Sequence, residues 1–138
     1  MINDNNYVIW ISKLARADRI YWNRIYYAKL RRDWTQGSKI LFVAKKGSCQ
    51  EAFIGLGKIE MVFKLSDLDI SEKRPSTYNK YHSKIVFGTM VRFFPAVLTK
   101  DAQPQSLGKM SGPVLDGAHI SDSEISKIQQ LANVMIIM

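Results

Sequence analysis

Apolar and polar positions change their spacing several times along the chain, and each change predicts an element. Tyr7–Ile11 (YVIWI) is an unbroken β-branched and aromatic run, the pattern of a buried strand that starts the sheet. In Ser12–Asn23 (SKLARADRIYWN) the apolar residues Leu14, Ala17, Ile20 and Tyr21 recur at three- and four-residue spacing. That spacing predicts a short helix, although neither end carries a recognisable cap. Ile25–Leu30 (IYYAKL) places two tyrosines after an isoleucine, which favours strand.

The clearest local grammar follows. Gly37 turns the chain, Ile40–Ala44 is a strand, Gly47–Gln50 a loop and Ala52–Leu65 a long second strand, so the segment predicts a β-hairpin. Gly55 and Gly57 bracket Leu56 inside that strand, and paired strand glycines mark a bulge, a tight bend or the close approach of another backbone. A curved, barrel-like sheet is expected.

Leu65–Tyr81 is polar and contains Pro75, which predicts a long surface connection with a helical turn at Leu68–Glu72. Ser83–Phe94 (SKIVFGTMVRFF) returns to strand composition, bent at Gly88. Pro95–Gly117 holds three of the four prolines together with Gly108, Gly112 and Gly117, the composition of a long loop that can serve as a lid. Ser121 and Glu124 then form a capping box, opening a helix whose Ile125, Ile128, Leu131 and Ala132 share one face and pack on the sheet. Val134–Met138 (VMIIM) supplies a last strand. The pattern is that of one α+β domain over residues 1–138, a small mixed β-barrel with flanking short helices.

Composition adds limits. The chain has 138 residues, 46% of them hydrophobic, enough for a core without staples. No stretch approaches the roughly 18 apolar residues of a membrane helix, and MINDNNYVIW lacks the basic region and length of a signal peptide. A cytoplasmic protein with no membrane partner is expected. The single cysteine, Cys49, fits a reducing compartment and makes no internal disulfide.

Charge changes the picture more. The net charge is +8, and it is concentrated: residues 1–50 hold ten Lys/Arg against three Asp, whereas residues 51–138 hold ten against nine acids. A one-sided positive field concentrates polyanions, chiefly nucleic acid. Within the basic part, Trp10, Tyr21, Trp22, Tyr26, Tyr27 and Trp34 are interleaved with Arg16, Arg19, Arg24, Lys29, Arg31 and Arg32. Aromatic faces stack bases and neighbouring cations pair with phosphates, so the mixture suits splayed-out or single-stranded nucleic acid. Some of these rings must be core; the charged neighbours of Trp22 and Trp34 place those two near the surface.

Other constellations carry less. The G-x-G of IGLGKI lacks the third glycine and the following helix of a dinucleotide site, and reads as a bulge. Cys49, His82 and His119 are the residue types of a thiol hydrolase, but nothing local activates the thiol; they read as a loop cysteine and two surface histidines. Asp67, Asp69 and Glu72 alternate with Leu68 and Ile70 as the solvated side of a turn, so no metal and no cofactor is expected.

The strand bearing Trp10, the Tyr21–Trp22 pair near a short helix, the basic aromatic stretch, and QGSKILFVA leading into FIGLGKI resemble the PUA-like superfamily, and within it the EVE and related archaeal domains. Gly37, Ile40–Phe42, Gly55 and Gly57 occupy the matching positions, and RFFPAVLT and ISDSEISKI resemble the second half of those domains. The chain departs from them at Ser38, where Asp is usual, and in having no Trp-rich cage past residue 34. The resemblance implies a pseudobarrel that binds RNA, or a modified base in RNA or DNA, without catalysis. Read with the residues, it predicts a nucleic-acid site of Trp10, Tyr21, Trp22, Arg24, Tyr26, Lys29, Arg31, Arg32 and Trp34, with RNA ahead of DNA as partner. Two rival functions remain: a protein–protein interaction subunit, and a small hydrolase using Cys49.

Overall fold

A computed structural model describes residues 6–46, 50–64, 81–132 and 134–137. Its strands are β1 (Tyr7–Ile11), β2 (Ile25–Ala28), β3 (Lys39–Lys46), β4 (Gln50–Lys64), β5 (Ser83–Leu98) and β6 (Val134–Ile137); its helices are α1 (Leu14–Asn23), α2 (Thr99–Ala102) and α3 (Asp122–Leu131). The strands run in the order β1-β3-β4-β5-β2, with β6 also on β5. Among these strands only β1 and β3 pair in parallel, in the register Tyr7↔Ile40 to Ile11↔Ala44. The sheet curls into a half-barrel.

Why β1 and β3 are continuous apolar runs is plain from their two faces. Tyr7, Ile9, Ile11, Ile40, Phe42 and Ala44 point into one core with Ala17, Ile20 and Tyr21 of α1. Val8, Leu41 and Val43 point into a second with Ile125 and Ile128 of α3 and with Leu107 and Leu115. Strands covered on both sides lose the alternation that a half-exposed strand shows.

The glycine pair of β4 marks a close approach. The β4–β5 register shifts between Phe53 and Gly55 and again after Gly57. A Cβ at Gly55 would collide with the Tyr21 hydroxyl and the Val91 carbonyl, and one at Gly57 would lie 2.8 Å from the Phe87 ring. The missing side chain is what lets the buried Tyr21 hydroxyl donate to Val91 O at 2.8 Å.

Several expectations need correction. The chain does not leave the sheet at Pro95: β5 continues to Leu98, and the rest of Pro95–Gly117 contains α2 and 3₁₀ turns at Gln105–Leu107 and Gly112–Leu115. Pro95 is tolerated because it lies where β5 bulges against β4, between the pairs Gly55↔Arg92 and Phe53↔Val97, and just beyond the last β6 pair, Phe94↔Val134. Leu14 and Leu131, placed on the core faces of their helices by spacing, are exposed: Leu14 is the first residue of α1 and Leu131 the last of α3. The capping box is present, with Glu124 N donating to Ser121 Oγ at 3.2 Å and Ser121 Oγ bonded to Glu124 Oε1 at 3.0 Å. The connection Leu65–Tyr81 lies outside the described residues except for Tyr81, as do Asp67, Asp69, Glu72 and Cys49. Among the described residues, no helix is long and apolar enough to cross a membrane.

Candidate nucleic-acid interface

Two adjoining clefts open where α1 meets β2, and they share Arg16, Tyr26, Tyr27 and Tyr81. The smaller, about 220 Å³, is walled by Trp10, Tyr26, Tyr27, Tyr81, Arg16, Lys29 and Asp116. The larger, about 510 Å³, extends along α1 past Arg19 and Asn23. Four aromatic rings and three cations therefore line one continuous depression.

Each wall has a local cause. Trp10 is the half-buried residue of β1, packed against the second core, and it is held at both ends. Its indole N–H donates to Glu51 Oε2 at 2.5 Å, and its backbone N–H donates to Asp116 Oδ1 at 3.1 Å. Glu51 also accepts the Gly112 N–H at 2.9 Å, so one carboxylate ties the ring of β1 to the 3₁₀ turn that carries Asp116. Antiparallel pairing of β2 with the start of β5, from Ile25↔Val86 to Ala28↔Ser83, brings Tyr81 beside Tyr27 with ring centroids 5.9 Å apart. The Lys29 ammonium stands 5.6 Å over the Tyr81 ring. A cation so placed is attracted by the ring quadrupole and stays available to an anion on its other side.

Burial sets the protonation of the cleft. It pushes the Tyr26 phenol well above its ordinary value, helped by the nearby Asp116 charge and opposed by Arg16, so Tyr26 presents a neutral hydroxyl. Burial likewise pushes the Asp116 carboxyl up, against the pull of the Trp10 N–H and of Arg16, Arg32 and Lys29.

Of the nine residues expected at a site, Trp10, Tyr26 and Lys29 meet in this cleft. Tyr21 and Trp34 lie in the core, which corrects the placement of Trp34 near the surface: it is 8% exposed. Its ring packs edge-on against Tyr7 at 4.8 Å and its indole donates to Leu30 O at 3.1 Å, so the charged residues before it only cover a buried ring. Trp22 stands 87% exposed on the outer side of α1, away from either cleft wall. Arg24 and Arg32 donate to backbone carbonyls, of Gly88 and of Gly117, while Arg31 is exposed beside His82. Arg16, Tyr27, Tyr81 and Asp116 complete the cleft and lie outside the expected set. Arg16 and Tyr27 belong to the basic aromatic stretch and carry its signal, but Tyr81 and Asp116 reach the cleft only through long-range pairing.

No family model and no curated protein matches the sequence. The fold, however, is shared with solved structures. An ASCH protein from Zymomonas mobilis superposes with a TM-score of 0.66 at 12% identity, covering 95% of this chain and 98% of that one. A serine-to-alanine mutant of that ASCH protein gives 0.68 at 9% identity, covering 96% and 100%. The YTH domain of Zygosaccharomyces rouxii MRB1, in complex with N6-methyladenosine RNA, gives 0.52 at 16% identity over 95% and 89%. At these identities the likeness is one of fold, that of ASCH and YTH domains, and it is consistent with the PUA-like resemblance of the residues.

Proposed function

We propose that this domain binds single-stranded RNA, seating one base among Trp10, Tyr26, Tyr27 and Tyr81 and pairing the flanking phosphates with Arg16, Arg19 and Lys29. The observation that carries the reading is the convergence of rings and cations on one depression, whose walls come from β1, α1, β2 and the Asp116 turn. Stacking on aromatic side chains contributes about 1–3 kcal/mol per base and tolerates any base, while Arg and Lys supply charge. The RNA-bound YTH domain of like fold supports RNA as the partner class. The proposed role is binding without catalysis.

The test is fluorescence anisotropy with a labelled single-stranded RNA, the matching duplex and the matching DNA strand. Tyr27→Ala and Tyr81→Ala are each expected to weaken single-strand RNA binding about tenfold or more, with melting temperature nearly unchanged, because both rings border an open cleft. Unchanged affinity in both variants would remove the site. Cleavage of the RNA during the titration would replace a binding function by a hydrolytic one.

A further inference from the structure

Asp116 is an odd component for a surface that attracts polyanions. It follows the 3₁₀ turn Gly112–Leu115, and its position is fixed on both sides: Leu115 is buried, and Gly117 N donates to Val8 O at 2.7 Å. Its side chain reaches the wall of the smaller cleft beside Trp10, Tyr26 and Lys29. One oxygen accepts the Trp10 backbone N–H. Among the described residues the carboxylate makes no ion pair, although Arg16, Arg32 and Lys29 are near enough to act on its charge. A half-buried carboxylate is costly, and here the cost is only partly offset. A purely electrostatic RNA surface would be better without it.

We infer that Asp116 makes the cleft selective for guanine, by accepting the ring N–H and the exocyclic amino group of that base's pairing edge; the inference rests on the RNA-binding reading above. A carboxylate is an acceptor only, with about four lone-pair sites on two oxygens, so it is matched by an edge that offers two adjacent donors. Guanine has such an edge. Adenine and cytosine each present one amino group next to a ring nitrogen acceptor, and uracil presents one N–H between two carbonyls. Each of these sets a lone pair against the carboxylate. Guanine's O6 acceptor lies beyond these two donors on the same edge, so it is not set against the carboxylate. The Trp10 N–H uses one lone pair of Oδ1 and fixes the carboxylate's orientation without exhausting its acceptors. Ring faces thus hold any base, and the carboxylate chooses among them.

The experiment uses the full chain and a short oligouridine carrying one central guanosine, adenosine, cytidine or inosine, each compared with oligouridine alone. The guanosine strand is expected to bind on the order of tenfold more tightly than the others. Inosine keeps the ring N–H and O6 but lacks the amino group, so it should lose most of that gain. Asp116→Ala should bring the guanosine strand down to the level of oligouridine bound by the same variant, and Asp116→Asn, which replaces one acceptor oxygen by a donor, should do the same. Binding of all strands with equal affinity, a preference for another base, or a guanosine preference that survives both variants would overturn the inference while leaving the RNA-binding reading intact. If no strand binds, both fail together. The inosine comparison is made on the unaltered protein and stands even if a variant misfolds.

Discussion

At position 55 a methyl group has no room. Tyr21 approaches β4 so closely that its hydroxyl and the Val91 carbonyl occupy the space a Cβ would need, and that contact also supports the 2.8 Å bond between them. Gly55→Ala should therefore displace Tyr21 from the core and destabilise the domain by about 1–3 kcal/mol, read as a lower urea midpoint. Asp116 shows the opposite economy. Burial raises its carboxyl in the folded chain, so between the unfolded and folded values the folded state binds more protons, and stability falls as pH rises through that window. An asparagine in its place could not titrate and could still accept the Trp10 N–H. Asp116→Asn is thus expected to melt at a higher temperature than the parent at about pH 7, the difference shrinking as pH falls through the raised folded value towards the ordinary aspartate range near 3.9 and changing no further below it. A variant that melts lower at neutral pH would mean that Arg16, Arg32, Lys29 and the Trp10 amide more than offset the burial. Such a cost to stability is the kind that a functional site carries.

Elements, rather than residues, decide which rings are structural. Trp34 precedes the Gly37 turn and packs on Tyr7 of β1, so Trp34→Ala should cost about 3–5 kcal/mol of stability, whereas Trp22→Ala on the outer side of α1 should change it by less than about 0.5 kcal/mol. Urea titrations of the two variants give both numbers; equal losses would contradict this division. The sequence alone marked both tryptophans as surface residues, because charge in neighbouring positions says nothing about which way a ring turns. Local grammar was legible elsewhere. The β3–β4 hairpin, the α1 and α3 spans, the Ser121 cap and the glycine-marked irregularity of β4 all follow from residues close together in the chain. The extension of β5 through Pro95 was not legible, since it depends on a bulge defined by its partner strands. Nor was the second half of the cleft. Tyr81 and Asp116 arrive by β2–β5 pairing and by the bond from Gly117 to Val8, contacts between residues far apart in sequence.

For the whole molecule, the uneven charge seen in the sequence acquires a position. The basic part of the chain builds α1, β2 and the segment after it, so Arg16, Arg19 and Lys29 come from one stretch and border one depression. Arg32, by contrast, donates to the Gly117 carbonyl and serves the loop that carries Asp116. If phosphates sit on the depression, each cation that contacts one releases a counterion, and the slope of log affinity against log salt records the number of such contacts. Arg19→Ala is then expected to flatten that slope by about one and to weaken binding equally for every RNA sequence, because a phosphate contact carries no base information. Lys100→Ala is the comparison: Lys100 lines a separate depression with Phe53 and Leu107, and its loss removes the same net charge from the protein. Its slope should match the parent's. Should Lys100→Ala flatten the slope as much as Arg19→Ala, the positive charge would be acting as a diffuse field over the whole surface, and the cleft would lose its claim on the phosphates while the fold stood unchanged.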